Sequence, residues 1–177
     1  MKKVLVAGFG VLSLVLVGVL AAAMFKPDVT HVERSRVVRA EAAEVMPHLT
    51  DMELWVKWSP WAELDPNVKW TFSDPASGVG AWYEWSGNEE VGRGKMEVVS
   101  VADDAVGYAL VFIEPFESEA AVTLRLTKDG EGTKVTWGMD SQNGFATKVF
   151  MVFADFDAML GADFERGLEN LAKVTEG

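Results

Sequence analysis

The sequence predicts an α+β domain in which a long antiparallel sheet curls around one C-terminal helix. Three observations predict it. Between Val68 and Met139 the apolar residues alternate with polar ones, with turn residues every few positions. From Asp155 to Val174 the period changes, and Phe156, Met159, Leu160, Phe164, Leu168, Leu171 and Val174 recur at three- and four-residue steps. Ahead of the alternating region stand one further strand-like segment and two short helical ones. Six strands joined by short turns demand antiparallel neighbours and one apolar face. Helices gathered on that face are the α+β solution. The apolar residues of the last segment fill roughly half of a helical wheel at ~100° per residue. A helix so widely apolar needs a surface that wraps it.

The chain of 177 residues opens with Lys2 and Lys3, then runs uncharged and mostly apolar from Val4 to Phe25. As a helix this run is about 33 Å long, enough for a hydrocarbon core of ~30 Å. The lysines put its N-terminus in the cytoplasm and the rest outside, periplasmic or extracellular. We therefore expect residues 1–25 to be a single-pass anchor in the cytoplasmic membrane and residues 26–177 to be the domain. A secretory signal peptide cleaved near Ala21-Ala22-Ala23 is the rival reading, although the apolar run exceeds a usual signal core. Without residues 1–25 the chain loses two of its 16 basic residues and none of its 27 acidic ones, leaving a net charge of −13. That balance argues against nucleic acid and against docking on anionic headgroups. The absence of cysteine excludes disulfides, thiol nucleophiles and thiolate metal sites.

The elements follow in order. Pro27 stops the first helical segment. Thr30 to Arg39, rich in Val, Arg and Ser, is the first strand. Ala40 to Leu49 forms a short helix interrupted by Pro47, and Asp51 to Lys57 forms a second. They lead into Trp55, Trp58 and Trp61, three indoles within seven residues. These read as a plug at one end of the core, with ligand stacking as the alternative. After the turn at Leu64–Asn67 come strands centred on Val68–Phe72, Val79–Trp85, Gly94–Val98, Tyr108–Phe112, Val122–Leu126 and Val135–Met139. Asn143 is the expected N-cap of a helical stretch over Phe145–Phe153. Whether that stretch runs into the last helix or breaks near Ala154 is open at this point. Gly167 falls in the apolar arc of the last helix. A mid-helix glycine costs ~1 kcal/mol against alanine, so it marks either close backbone approach or space left for a ligand.

Five motifs stand along the chain in this order: Val32-Glu33-Arg34-Ser35, Trp55-x-x-Trp58-Ser59-Pro60-Trp61, Gly78-x-Gly80-x-x-Tyr83-x-Trp85, Gly132-Thr133-Lys134-Val135-Thr136-Trp137 and, on the last helix, Gly161-x-Asp163-Phe164-Glu165-x-Gly167-Leu168-x-Asn170-Leu171. Together and in this order they resemble the START-like, helix-grip (SRPBCC) superfamily, and within it the bacterial polyketide cyclase/dehydrase and lipid-transport branch. The resemblance implies a seven-stranded sheet gripping the long helix around a hydrophobic cavity. It does not imply one activity, because members carry lipids, bind hormones or cyclise polyketides. One departure is Arg36, where the pattern has an aliphatic residue. By alternation Arg36 shares the face of Val32 and Val38. It either reaches water from an edge position or faces the cavity, pairing with Asp163 or receiving a ligand carboxylate.

No Gly-x-Ser-x-Gly, His-Glu-x-x-His or phosphate-binding glycine loop is present. His31 and His48 read as surface or structural residues, and no metal or cofactor is expected. An acid–base enzyme would have to use carboxylates such as Asp163, with Tyr83 or Tyr108 as donors. The expected cavity wall comprises Trp70, Phe72, Tyr83, Trp85, Met96, Tyr108, Phe112, Trp137 and Met139 from the sheet. The helix adds Phe156, Met159, Leu160, Asp163, Phe164 and Gly167. Such a wall suits a small lipid- or polyketide-like molecule. The leading expectation is a membrane-tethered, non-catalytic binding or carrier domain. A cyclase- or hydrolase-like enzyme on the same scaffold and an envelope interaction module with a filled core are the alternatives.

Overall fold

The structure, a computed structural model, describes the backbone of residues 2–177 apart from residue 116, and the side chains from residue 13 onward. Helix α1 (Lys2–Met24) precedes β1 (Val29–Val38), the short helices α2 (Ala42–Thr50) and α3 (Met52–Trp55), and β2 (Lys69–Phe72). There follow β3 (Trp82–Ser86), β4 (Arg93–Ala102), β5 (Ala105–Glu114), β6 (Ser118–Asp129) and β7 (Gly132–Gln142). Helices α4 (Phe145–Phe150) and α5 (Phe156–Thr175) end the chain. The seven strands form one sheet in the order β1-β7-β6-β5-β4-β3-β2, with antiparallel pairing throughout. The first strand thus crosses to the far edge and pairs with the last, while β2 to β7 form a meander. Of the membrane span expected at Val4–Phe25, the side chains as far as residue 12 lie outside those described. Among the described residues no helix is long and apolar enough to cross a membrane.

Local chemistry fixes the short helices. The Glu44 carboxylate accepts from the Glu41 N–H at 2.8 Å, closing the start of α2. Asp51 ends α2 and starts α3: its Oδ1 accepts from the N–H groups of Glu53 and Leu54 at 2.8 and 3.1 Å. Two expectations need correction. Val79–Trp85 is not one strand, because Gly78 and Gly80 both adopt φ of +88°, a left-handed turn conformation, and pairing begins only at Trp82. Asn143 does not cap α4. It is buried, and its amide donates to Pro27 O at 3.0 Å and to Thr30 Oγ1 at 2.6 Å, tying the end of β7 to the start of β1. Gly144 takes the cap position without a side-chain bond. The helical stretch does break: α4 ends at Phe150, and Asp155 starts a new helix by accepting from Ala158 N at 3.0 Å.

Helix α5 packs chiefly on β1, with contacts to β7 and α2. Phe164, Leu168 and Leu171 are its buried stripe, and they join Val32, Val38, Leu124 and Val135 in the core. Trp55 and Trp58 are fully buried beside Trp137, with ring centroids 5.5 and 5.3 Å from it. Trp137 in turn stacks flat on Phe164 at 4.4 Å. The tryptophan segment after α3 therefore closes one end of the core, as its density suggested.

Candidate functional site

Between the inner face of the sheet and the α4–α5 side lies a cavity of about 660 Å³. The alternation of each strand builds its wall. Trp70 of β2, Tyr83 and Trp85 of β3, Met96 of β4 and Phe112 of β5 all face it. So do Leu110, Ala120 and Val122 from the middle of the sheet and Trp137 and Met139 of β7. Helix α5 contributes Phe156, Leu160 and Phe164, and the other end is shut by Trp55, Ser59 and Trp61. Exposed lining residues Glu90, Pro115, Glu119 and Phe150 mark the opening, which α4 overhangs. The wall is apolar and aromatic, with a chain of ring contacts running from Trp70 through Tyr83 and Trp85 to Phe112, edge to face at both ends and tilted between Tyr83 and Trp85. A space of this size and character suits a lipid- or polyketide-sized molecule.

Glycine permits one part of the wall. Trp85 pairs with Gly94 across β3 and β4, and a Cβ at Gly94 would collide with the Trp85 ring and the Val111 carbonyl. The indole lies across the strand at that point, and its N–H donates to Val91 O at 2.9 Å.

The structure brings together Trp70, Tyr83, Trp85, Met96, Phe112, Trp137, Met139, Phe156, Leu160 and Phe164 of the expected set. The others lie elsewhere. Phe72 is half-buried against Tyr83, outside the lining. Tyr108 is buried in the core, where its hydroxyl donates to Leu49 O at 2.7 Å. Met159 is exposed. Asp163 is half-buried and pairs with Arg166 at 2.7 Å, one turn along its own helix. At Gly167 a Cβ would lie 2.7 Å from Trp137 Cζ3 and 3.1 Å from Pro60 Cδ, so the missing side chain belongs to packing and leaves no ligand space.

Arg36 is exposed and absent from the cavity wall. The charged residue that β1 presents to α5 is Arg34. Its guanidinium reaches both Asp157 carboxylate oxygens, at 2.9 and 3.3 Å, and Glu165 at 3.3 Å. It lies across Gly161, where a Cβ would collide with it. The hydrogen bond from Arg34 holds the Asp157 carboxyl below its usual range. Position along β1 separates the two arginines, and alternation could not show it.

Sequence reasoning missed the α4 part of the wall, Ala146, Thr147, Val149 and Phe150, and placed Trp55 and Trp61 there only as an alternative. A short helix that overhangs an opening leaves no period-2 or wide-arc signature. Among the described residues no group of three or more His, Cys, Asp or Glu side chains is arranged to hold a metal ion. His31 is exposed and bonded to Asp140 at 2.8 Å, away from the cavity. Burial pushes the Tyr83 and Tyr108 phenols upward, so both are neutral donors at ordinary pH.

The family described as polyketide cyclase/dehydrase and lipid transport matches residues 29–176. No curated protein matches the sequence. Solved structures share the fold. Protein CV1439 from Chromobacterium violaceum superposes with a TM-score of 0.60 at 14% identity, over 86% of this chain and 99% of its own. A protein from Rhizobium leguminosarum gives 0.61 at 17% identity, over 84% and 95%. DynU16, a protein of the dynemicin biosynthetic locus, gives 0.56 at 22% identity, over 85% of this chain and 48% of its own.

Proposed function

The chain belongs to the polyketide cyclase/dehydrase and lipid-transport family of START-like, helix-grip proteins, and from that premise we propose that it binds and carries a small hydrophobic molecule without transforming it. The observation that carries this reading is the cavity of about 660 Å³ with an aromatic and aliphatic wall. A filled core, which an interaction module of this fold would have, leaves no such volume. Against catalysis stands the chemistry of the wall. Among the described residues its carboxylates, Glu90 and Glu119, are both exposed at the opening, and no histidine, lysine or arginine lines it. A cyclase-like enzyme is the second reading. The family's description, polyketide cyclase/dehydrase and lipid transport, favours a polyketide- or lipid-like ligand for either reading.

We propose further that the apolar segment Val4–Phe25 tethers the domain, residues 26–177, outside the cytoplasmic membrane. The support is the run itself, with Lys2 and Lys3 ahead of it. Met24, Phe25, Phe145 and Phe153 add exposed apolar surface around its exit, where α4 packs against α1. A C-terminal alkaline phosphatase fusion tests the orientation; an inactive fusion reverses it.

Binding is tested by mass spectrometry of organic extracts from the gently purified full-length chain, with the bulk membrane lipids of the same preparation as reference. The expected result is one apolar compound enriched to near-stoichiometric amount. An extract that only mirrors the bulk lipid, together with no thermal stabilisation by fatty acids or aromatic polyketides, overturns the carrier reading. Turnover of an activated ester or polyketide mimic by the same preparation moves the assignment to the enzyme.

A further inference from the structure

The strand register puts the cavity opening and the attachment of α1 at the same end of the sheet. Val29, the first residue of β1, pairs with Gln142, the last of β7, and Ser118, the first of β6, pairs with Phe112 near the end of β5. Pro115, Glu119 and Gln142, which line the cavity, lie at this end. The β4–β5 hairpin lies at the other end, about 27 Å away along β5 from Val106 to Glu114 at ~3.4 Å per residue. The exposed aromatic surface shares the bias. Among the described residues four phenylalanines are exposed: Phe25 at 90%, Phe153 at 73%, Phe145 at 55% and Phe150 at 47%. Phe25 ends the apolar run, and the other three stand on or just after α4, which packs against α1 and buries none of its own residues. Phe150 also lines the cavity, so the apolar surface outside joins the wall inside. A second hollow lies between the exit of α1, at Lys26 and Pro27, and the α4–α5 link, and Phe156 lines both it and the cavity. Apolar groups gathered on one end in this way mark a surface that meets something other than water.

We propose that Phe25, Phe145, Phe150 and Phe153 form a collar that seats in the outer face of the bilayer carrying α1, so that the cavity opens into lipid and not into water. This rests on the reading of residues 1–25 as a membrane anchor. Reach decides for the bilayer over a protein partner. The chain from Phe25 to Val29 spans at most about 14 Å, so with α1 inserted this end of the domain stays at the membrane surface. Aromatic side chains favour the boundary between headgroups and acyl chains. Lys26, beside Phe25, can lie along that boundary with its ammonium among the headgroups. The net charge of −13 on residues 26–177 favours neutral, zwitterionic headgroups over anionic ones. In this seat a hydrophobic molecule passes between bilayer and cavity beside Phe150 without dissolving in water.

The chain has no cysteine, so one introduced cysteine takes a bimane label at a single position. Full-length Phe145→Cys, Phe150→Cys and Phe153→Cys, each keeping the other three phenylalanines, are labelled and reconstituted into phosphatidylcholine vesicles that include lipid with a nitroxide high on its acyl chain. Leu16→Cys, exposed on α1, reports the anchor, and Val101→Cys, exposed beside the β4–β5 hairpin, reports the far end. Ala146→Cys, also exposed on α4, replaces any collar variant whose circular dichroism shows a lost fold. The expected result is loss of at least about half of the fluorescence at Leu16 and at the three collar positions, which sit ~5–10 Å into the lipid, and none at Val101. Adding Phe145→Ser and Phe153→Ser to the labelled Phe150→Cys chain should cut its quenching at least about twofold, because less apolar surface then draws this end into lipid. Quenching at Leu16 without quenching at the collar overturns the collar and leaves the anchor, and so does a double replacement that changes nothing at position 150. Quenching at Val101 as strong as at the collar overturns the seating, because the domain then lies along the bilayer. No quenching at Leu16 overturns the anchor and the collar with it.

Discussion

Gly161 and Gly167 lie on the same helix six residues apart, and their surroundings give opposite expectations for the same substitution. Each Gly→Ala change in a helix interior gains about 1 kcal/mol of propensity. At Gly161 the added methyl meets the Arg34 guanidinium, the far end of a flexible side chain that can swing toward water. At Gly167 it meets Trp137, which is 2% exposed, stacked on Phe164 and flanked by Trp55 and Trp58, and it meets the Pro60 ring. Overpacking a site that cannot yield costs about 1–3 kcal/mol. Gly161→Ala should therefore melt close to the wild type. Gly167→Ala should be less stable by up to about 2 kcal/mol, the overpacking cost less the propensity gain, a shift of up to about 8 °C for a domain of this size. Thermal melts followed by circular dichroism check this; equal melting temperatures for the two variants would remove the packing account of Gly167. The sequence placed Gly167 on the apolar arc correctly. It could not say which neighbour fills the gap, because Trp137 and Pro60 come from distant segments.

At the scale of elements, β1 and α5 are joined at their outer end by ion pairing where the apolar stripe runs out. Arg34 clasps Asp157 in the first turn of α5 and reaches Glu165 two turns on. Asp28, before β1, pairs with Lys148 of α4, which holds its carboxyl low as well. Carboxylates with depressed folded-state values contribute stability that is present above their unfolded value, near pH 4. That stability is lost as pH falls through the folded value. Both groups are solvent-exposed, so the effect is small and screened by salt. Asp157→Asn should lower the melting temperature slightly at pH 7 and reduce the further loss between pH 4 and pH 3. Melts at pH 7, 4 and 3 in low salt measure it, and an unchanged acid slope would show that the pair does not couple the elements. The strand and helix sequence was legible because period alone sets it. The contacts between elements were not: alternation put Arg34 and Arg36 on one face of β1, and only their position along α5 separates the ion-paired residue from the solvated one. Asn143 illustrates the same limit. Its place before a helix suggested a cap, while its burial against Pro27 and Thr30 depends on β1 crossing the whole sheet to pair with β7.

For the whole molecule, the two tyrosines report whether the cavity is dry. They are the only tyrosines in the chain, and both are buried: Tyr83 in the cavity wall, Tyr108 in the solid core against Leu49 O. Burial disfavours the phenolate and raises both groups above the ordinary value near 10. The sign follows directly. A raised folded-state value means that stability is complete below the unfolded value and falls as pH rises beyond it, because only the unfolded chain can ionise. The folded protein should therefore show no tyrosinate absorbance step near pH 10. Absorbance at 295 nm should rise later, in one step of two tyrosines, together with loss of the near-ultraviolet circular dichroism of the tryptophans. In denaturant both should titrate near pH 10. A half-amplitude step near pH 10 with the fold intact would mean that water reaches Tyr83. The cavity would then be a hydrated cleft. A hydrophobic ligand that fills the cavity and expels its water should push that half-step back up, because burial alone raises the Tyr83 phenol, so the same titration with and without a fatty acid separates a dry pocket from a wet one that dries on binding.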